Sequence, residues 1–218
     1  MFHPFVPMSD NELTIQLLLI RHGQSFFNRD GEDAGMDSGL TALGWAQARR
    51  VADWLVENEA VDVLYSSSML RARQTAEVIG QHMELPVIVK AGFEEAHQPY
   101  WHELPRYSNP HALQPEPGWT LSPETTPHYH ALIQRLWQPL ETILQAHAGQ
   151  TVAIVGHGGA WATLIRSLMG GHNVLISTEN SAVHKLAWRL GRWMLVYLNR
   201  NDHRRDVEDA NGTRKAAD

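Results

Sequence analysis

The chain has 218 residues, a length that suits a single α/β domain with a sizeable core. It contains no cysteine, which excludes disulfides, zinc–thiolate sites and thiol catalysis, and its formal charge of −6 argues against a broad nucleic-acid surface. No apolar run is long enough for a membrane span or a signal peptide, so we expect a cytoplasmic protein with no membrane partner.

The first predicted element leads directly into a short basic motif. Residues 14–20 read as a buried strand, and Arg21-His22-Gly23 follows it without a spacer. In open α/β sheets, ligands bind just beyond the carboxyl ends of the strands. Arg21 and His22 are therefore candidates for holding an anion and for attacking it or moving a proton.

Loops, helices and strands then alternate. The pattern predicts, in order, a polar loop at 26–39, a helix capped by Thr41 and ending near Asn58, a strand at 61–65, a helix at 69–83 capped by the serines at 66–68, and a strand at 86–90. Such alternation implies a three-layer α/β/α fold with a mostly parallel sheet. Arg71 lies in the first turn of the second helix, where the macrodipole disfavours cations, so we expect it to face an anion.

Residues 91–127, here called the lid segment, differ from the rest of the chain. They contain seven prolines, several histidines and two tryptophans, and they show no long hydrophobic period. We expect an irregular segment of this length to cover the ligand end of the sheet. Trp101 and Trp119 could stack on a substrate there, and His102 could line the entrance.

Four histidines in or beside the lid segment raise the question of a metal ion: His97, His102, His128 and His130. Their spacing is irregular, and no matching pattern of acids accompanies them. We therefore expect neither a metal site nor a cofactor.

The last part of the chain returns to regular elements. The pattern predicts a helix at 128–148 that Pro139 should kink or end, a strand at 151–156, the motif His157-Gly158-Gly159, a helix to Met169, and strands at 183–189 and 193–198 with a turn at Gly191. The charged residues 201–218 are expected to be disordered. The sequence therefore predicts a single domain over residues 1–200, followed by this tail.

The two clearest strands end alike, one in Ile20-Arg21-His22-Gly23 and the other in Val155-Gly156-His157-Gly158. If these strands are parallel neighbours, both imidazoles lie at the same edge of the sheet. Arg71 would approach that edge from the start of its helix. The sequence thus predicts a cluster of two histidines and two arginines suited to an anion.

These segments resemble the histidine phosphatase superfamily, also called the phosphoglycerate mutase-like family. The matching pieces, in family order and spacing over about residues 14–190, are Arg21-His22-Gly23-Gln24-Ser25 with Asn28, Thr41 to Ala48, Ser66 to Thr75, and Val155-Gly156-His157-Gly158-Gly159, with looser matches at Glu95 and Asn180-Ser181. One such motif is weak evidence. Four in the right order are specific.

The resemblance implies a role for each matched residue. His22 would be the nucleophile that becomes phosphohistidine, and Glu95, in preference to Glu94, would be the general acid and base. The phosphoryl group would be bound by Arg21, Asn28, Arg71, His157 and Gly158. Neighbouring cations would disfavour the imidazolium form of His22 and keep it nucleophilic.

The activity implied is metal-independent hydrolysis of a phosphomonoester, as in histidine acid-type phosphatases. Two alternatives stay open, a phosphoglycerate mutase and a non-catalytic phosphoryl-binding protein. The residues after Glu95, Ala96-His97-Gln98-Pro99-Tyr100, depart from the basic pattern of the mutases and argue against the first. We expect a small phosphorylated substrate, with a phosphoprotein also possible, and no nucleic acid; the substrate's identity and the oligomeric state stay open.

Overall fold

The computed structural model describes residues 14–96, 100–111 and 116–204. Its regular elements are β1 (Ile15–Arg21), α1 (Phe26–Asp30), α2 (Ala42–Asn58), β2 (Val63–Ser66), α3 (Leu70–Met83), β3 (Val87–Val89), α4 (Pro127–Ala146), β4 (Thr151–Gly156), α5 (Gly158–Met169), β5 (Val183–Arg189) and β6 (Arg192–Arg200). Three short 3-10 helices cover Gly31–Ala34, Trp101–Glu103 and Asp202–Arg204. No described helix is both long and apolar enough to cross a membrane.

The six strands form one mixed sheet in the order β3-β2-β4-β1-β5-β6. The four strands β3, β2, β4 and β1 run parallel, whereas β5 pairs antiparallel with both β1 and β6. Arg21 at the end of β1 is in register with Gly156 at the end of β4. The residues that follow, His22 and His157, therefore come together at one edge of the sheet, and the predicted fold is confirmed.

Alternate residues of β1 divide the core into two layers. Leu17 and Leu19 belong to a buried cluster with residues of α4 and α5, while Leu18 and Ile20 belong to a second cluster with residues of α2 and α3. All four side chains are fully buried, each contributing about 1.5–3 kcal/mol of burial free energy. Helices thus cover both faces of the sheet, and this rigid centre fixes where β1 ends.

Two local predictions after β1 and β2 are wrong. Residues 26–39 are not a plain loop, because Ser25 and Asn28 form a capping box that starts α1. The serines at 66–68 do not cap α3, whose N-cap residue is Met69 with no side-chain cap. Instead the carboxylate of Asp37 accepts the free backbone N–H of Leu70 at 2.6 Å.

Helix α4 runs without a break through Pro139, so, of the two outcomes predicted for this proline, a kink or the end of the helix's first half, the second is wrong. The Pro139 side chain is buried, and the backbone of Gly92 lies against its ring. A Cβ atom at Gly92 would come within 2.8 Å of Pro139 Cγ, and its φ of 102° also favours glycine. Tertiary packing therefore offsets the cost of the interrupted hydrogen bond.

The described parts of the lid segment are tied to the core. Phe93, Tyr100 and Leu104 are buried in the cluster that α4 and α5 share. Residues 97–99 and 112–115 lie outside the described residues, and so does the histidine at 97. That the segment forms a lid stays a prediction.

The first residues of the segment predicted to be disordered are ordered, so the prediction is wrong for them. Asp202–Arg204 form a 3-10 helix, and Arg204 is buried and donates to the carboxylate of Glu179 at 2.8 Å. This ion pair accounts for the ordered residues after β6. Residues 205–218 and 1–13 lie outside the part of the chain that the structure describes.

Candidate active site

The two histidines that end β1 and β4 face each other. The ring centroids of His22 and His157 are 5.1 Å apart, with an interplanar angle of 60°. Both rings are almost completely buried, and the backbone N–H of His22 continues the sheet by donating to Gly156 O at 3.0 Å. The sheet therefore determines the position of both imidazoles.

The imidazole of His22 is held in one tautomer. Its Nδ1 lies 2.6 Å from Gly23 O, and because a carbonyl oxygen only accepts, Nδ1 carries the proton. Its Nε2 keeps a lone pair, toward which Arg71 Nε donates at 3.0 Å. The nitrogen available for attack is Nε2, and any group that approaches it meets the Arg71 guanidinium.

The same surroundings keep His22 uncharged. Burial, followed by the charges of Arg21 and Arg71, holds the pKa of His22 well below its usual range. The pKa of His157 is also held well below its usual range, by burial first and then by His22 and the two arginines. A neutral imidazole is the nucleophilic form.

Gly23 allows the tight approach on which this arrangement depends. A Cβ atom at residue 23 would lie 2.3 Å from Gly44 O, closer than any real contact. The backbone N–H of Gly23 donates to Thr75 Oγ1 at 3.1 Å, which joins the end of β1 to α3. The neighbouring α2 backbone thus requires glycine between His22 and Gln24.

Arg71 enters from the first turn of α3, as the sequence predicts. It is buried, and its Nη1 donates to Met36 O at 2.6 Å while its Nε faces His22. The segment after α1 therefore orients the guanidinium through a backbone carbonyl. Sequence reasoning missed this contribution, because no side-chain type marks it.

Arg21 lies beside the first residue of α5. Its Nη1 donates to Thr178 O, and its Nε is buried with no hydrogen-bond partner among the described residues. Burial lowers the pKa of both Arg21 and Arg71, and the charge of Glu95 partly offsets this in each case. An unsatisfied, buried, cationic donor is what an anion-binding pocket needs.

His157 is positioned by a serine that the sequence marked only as a helix cap. Its Nε2 lies 3.0 Å from Ser67 Oγ, and its Nδ1 has no partner among the described residues. Ser67 follows β2, the strand next to β4. Three neighbouring strands thus contribute to one cluster.

The two candidate acids occupy different places. The carboxylate of Glu95 accepts the backbone N–H groups of Gly159 at 3.2 Å and Ala160 at 3.0 Å, in the first turn of α5. Glu94 instead accepts Ser68 Oγ and forms an ion pair with Arg135 at 3.1 Å. The structure therefore brings Glu95, and not Glu94, to the helix that begins beside Arg21.

Gly159 makes room for that carboxylate. A Cβ atom at residue 159 would lie 2.6 Å from Glu95 Oε1, whereas one at Gly158 would lie 3.4 Å from Arg21 Nε. The position that has no room for a side chain is thus Gly159, which the sequence analysis did not select. The sequence feature that could have indicated it is the second glycine after His157.

A tryptophan fastens β1 to α5 behind these groups. Trp161 is fully buried, and its Nε1 donates to Ile20 O at 2.9 Å. A Cβ atom at Gly156 would lie 2.4 Å from its ring, so the strand end must be glycine. The indole thereby links the strand that ends in His22 with the helix that anchors Glu95.

The profile of the histidine phosphatase superfamily (branch 1) matches residues 17–201. The chain belongs to the histidine phosphatase superfamily. It is 29% identical over 194 residues to the uncharacterized phosphatase PhoE of Bacillus subtilis, across 85% of this chain and 94% of that protein. It is 30% identical over 165 residues to a metal-independent phosphoserine phosphatase of Arabidopsis thaliana, across 69% of this chain and 66% of that protein.

Among solved structures, a mycobacterial glucosyl-3-phosphoglycerate phosphatase in complex with VO3 is similar, with a TM-score of 0.65 and 26% identity. The similarity covers 84% of this chain and 98% of that one. The family predicted from the motifs is confirmed, and phosphatase activity follows at the level of the superfamily.

Asn28 forms hydrogen bonds to two neighbouring residues of the protein, Ser25 and Asn180. Its Oδ1 accepts the Ser25 backbone N–H and the Asn180 side-chain amide, each at 3.1 Å, and the residue is exposed. Asn180 also donates to His22 O at 3.1 Å. Asn28 therefore lies next to the His22 loop, and its phosphate contact stays a prediction.

The three lid residues predicted to contact a substrate, Trp101, His102 and Trp119, differ in their exposure to solvent. Trp101 is 55% exposed, and the His102 ring is exposed as well. Trp119 is partly buried, its Nε1 donates to Glu103 O at 2.7 Å, and its ring lies beside His172. Trp101 and His102 are thus exposed, whereas Trp119 is held by contacts within the protein; that any of the three contacts a substrate stays a prediction.

Proposed function

We propose that this chain is a phosphoric monoester hydrolase that works through a phosphohistidine on His22 and needs no metal. The observation that carries the proposal is the His22 ring, which Gly23 O holds with a neutral Nε2 directed at Arg71. The position of Nε2 is fixed before a substrate arrives. Such preorganisation is the main requirement of phosphoryl transfer.

In the first step, His22 Nε2 attacks phosphorus in line with the ester oxygen. The N–P bond forms as the P–O bond to the alcohol breaks, and the leaving oxygen takes a proton from Glu95. Arg21, Arg71 and His157 surround the transferring group. Two permanently charged guanidinium groups, that of Arg71 buried and that of Arg21 partly buried, offset the charge that develops on the phosphoryl oxygens.

In the second step, water replaces the alcohol. Glu95 removes a proton from the water as its oxygen bonds to phosphorus and the N–P bond breaks, which releases inorganic phosphate and restores His22. Glu95 accepts N–H bonds from Gly159 and Ala160, so it is held in place for both proton transfers. One carboxylate thus serves as acid and then as base.

We propose a small phosphomonoester as the substrate. The similar proteins named above include a phosphoserine phosphatase and a glucosyl-3-phosphoglycerate phosphatase, whose names support this class. A phosphoprotein is the alternative substrate. Only the lid segment could cover the site closely enough to exclude so large a molecule. The proposed steps use no cofactor.

The test compares wild type with His22→Ala and, as a control, His82→Ala, which removes a histidine of α3 outside the cluster. Hydrolysis of p-nitrophenyl phosphate in excess EDTA should persist in wild type and His82→Ala. It should fall by on the order of 10³-fold or more in His22→Ala. Mass spectrometry after an alkaline quench should find a phosphoryl group on His22 alone.

Two outcomes would redirect the assignment. Turnover that survives in His22→Ala would overturn the phosphohistidine mechanism. Conversion of 3-phosphoglycerate to its 2-phospho isomer, faster than release of inorganic phosphate, would identify the chain as a mutase.

A further inference from the structure

A second group of titratable side chains lies within and beside the lid segment. His102 and Glu103 belong to the 3-10 helix Trp101–Glu103, and His128 is in the first turn of α4. One ligand atom from each of the three lies within 4.8 Å of the others. No residue assigned above to phosphoryl transfer belongs to this group.

Glu103 gives the group a buried negative charge. Its side chain is only 5% exposed, and among the described residues no lysine or arginine pairs with it. Its Oε2 accepts the backbone N–H of Tyr129 at 2.8 Å, and its Oε1 accepts His128 Nδ1 at 2.6 Å. In the described part of the chain, the basic side chains within reach of this carboxylate are thus the imidazoles of His102 and His128.

The distances suit a divalent ion with small adjustments. Glu103 Oε1 lies 2.6 Å from His128 Nδ1 and 4.0 Å from His102 Nε2. Tetrahedral zinc needs nitrogen and oxygen ligands about 3.4 Å apart, a value between these two. Both rings are about half exposed or more, which leaves them room to turn toward an ion.

Contrary to the expectation from the sequence pattern, we propose that His102, Glu103 and His128 form a binding site for Zn²⁺. Two imidazoles and one carboxylate are ligands that zinc accepts and that magnesium and calcium do not prefer. On binding, the Nδ1–H bond of His128 gives way to an Nδ1–Zn bond, and the proton leaves to solvent. Glu103 keeps its hydrogen bond from Tyr129 through the other oxygen.

An ion at this site would fasten the lid segment to α4. Tyr100, directly before the 3-10 helix, stacks on Tyr129 with centroids 5.5 Å apart. Its hydroxyl donates to Gly159 O at 3.1 Å, beside the anchor of Glu95. Zinc would therefore stabilise the part of the lid segment that contacts the α5 N-terminus, whether or not the proposed mechanism holds.

The experiment measures Zn²⁺ binding to the full chain by calorimetry, with no substrate present. Wild type should bind one equivalent at this site. His102→Ala and His128→Gln should each weaken that binding by more than about tenfold, since even outer-shell changes at metal sites have effects of this size. Glutamine at 128 keeps an amide donor for Glu103. The matched control is His111→Ala, an exposed histidine of the same segment, which should bind as wild type does.

Thermal unfolding without zinc checks that each variant folds, and zinc should raise the melting temperature of wild type and His111→Ala only. Unchanged zinc affinity in both His102→Ala and His128→Gln would overturn the proposal. So would loss of the bound equivalent in His22→Ala, which would place the ion at the catalytic imidazoles. Neither result depends on hydrolytic activity.

Discussion

The sheet edge and the lid segment are built on opposite principles. At the sheet edge, His22 and His157 follow strands whose register fixes them, and both are buried. In the lid segment, Trp101 is mostly exposed and its surroundings depend on irregular backbone. A site at the end of a packed strand is set by the fold itself. A site in a proline-rich segment is set by many individual contacts, so substrate choice can vary there while the chemistry stays constant.

The largest effect is expected from loss of the proposed acid, Glu95, which lies in the lid segment by sequence but is held at the sheet edge by α5. Glu95→Gln should lower kcat by about 10²–10⁴-fold for phosphoserine, whose alkoxide leaving group needs a proton. The loss should be much smaller for p-nitrophenyl phosphate, whose leaving group is stable as an anion. Steady-state kinetics on both substrates checks this.

Glu94→Gln is the matched control for that comparison. It removes the ion pair with Arg135 and leaves the Glu95 anchor intact, so kcat should change only a few-fold. Equal losses of kcat in both variants would contradict the choice of Glu95. So would a loss in Glu95→Gln that is the same for phosphoserine and p-nitrophenyl phosphate.

A smaller effect is expected from Gly159→Ala. The new Cβ atom would lie 2.6 Å from Glu95 Oε1 and must displace the carboxylate. Misplacing a catalytic group by about 1 Å can reduce the rate about 10²-fold. We expect such a drop in kcat on phosphoserine with a melting temperature close to that of wild type. Gly171→Ala, at a glycine just after α5, should leave kcat unaltered, and a similar drop there would contradict the steric argument.

Acid should destabilise the folded chain through His184, a buried histidine of β5. Burial lowers the pKa of His184 on β5 to about 4, and its Nδ1 accepts the N–H of Asn199 at 3.0 Å. The unfolded chain binds that proton near pH 6.5 and the folded chain does not. The free energy of unfolding should therefore fall as the pH drops from about 6.5 to 4, by on the order of 3 kcal/mol from this group.

Denaturant titrations across that pH range measure the slope. His184→Gln should flatten it, whereas His111→Gln, at an exposed site, should leave it as in wild type. A slope that is the same in all three proteins would show that His184 is not the group responsible.

The smallest effect on activity is expected at Trp101, the exposed tryptophan of the lid segment. Trp101→Ala should change kcat/KM for phosphoserine by about 2- to 10-fold through KM, the range expected for one lost aromatic contact. Trp137→Ala removes a similarly exposed tryptophan from α4 and should have no effect. If both variants behave alike, Trp101 does not contact the substrate.

The sequence alone predicted the strands at 151–156 and 183–189 at their observed bounds, and also that His22 and His157 would meet. Hydrophobic runs that end in a motif carry this information locally. It could not predict that Met36 O would orient Arg71 or that α4 would continue through Pro139. Those features arise from contacts between segments distant in sequence, which no local pattern records.

The indole of Trp161 has a mechanical consequence. It joins the end of β1 to α5 by a hydrogen bond to Ile20 O, and α5 holds the carboxylate of Glu95 by two backbone N–H groups. Under the proposed roles, the nucleophile and the acid therefore share one frame: Glu95 belongs to the lid segment by sequence, but the backbone of α5 holds its carboxylate. If the exposed part of the lid segment moves during the proposed reaction, we expect the spacing between His22 and Glu95 to stay constant, so that each turnover would begin from an already aligned pair.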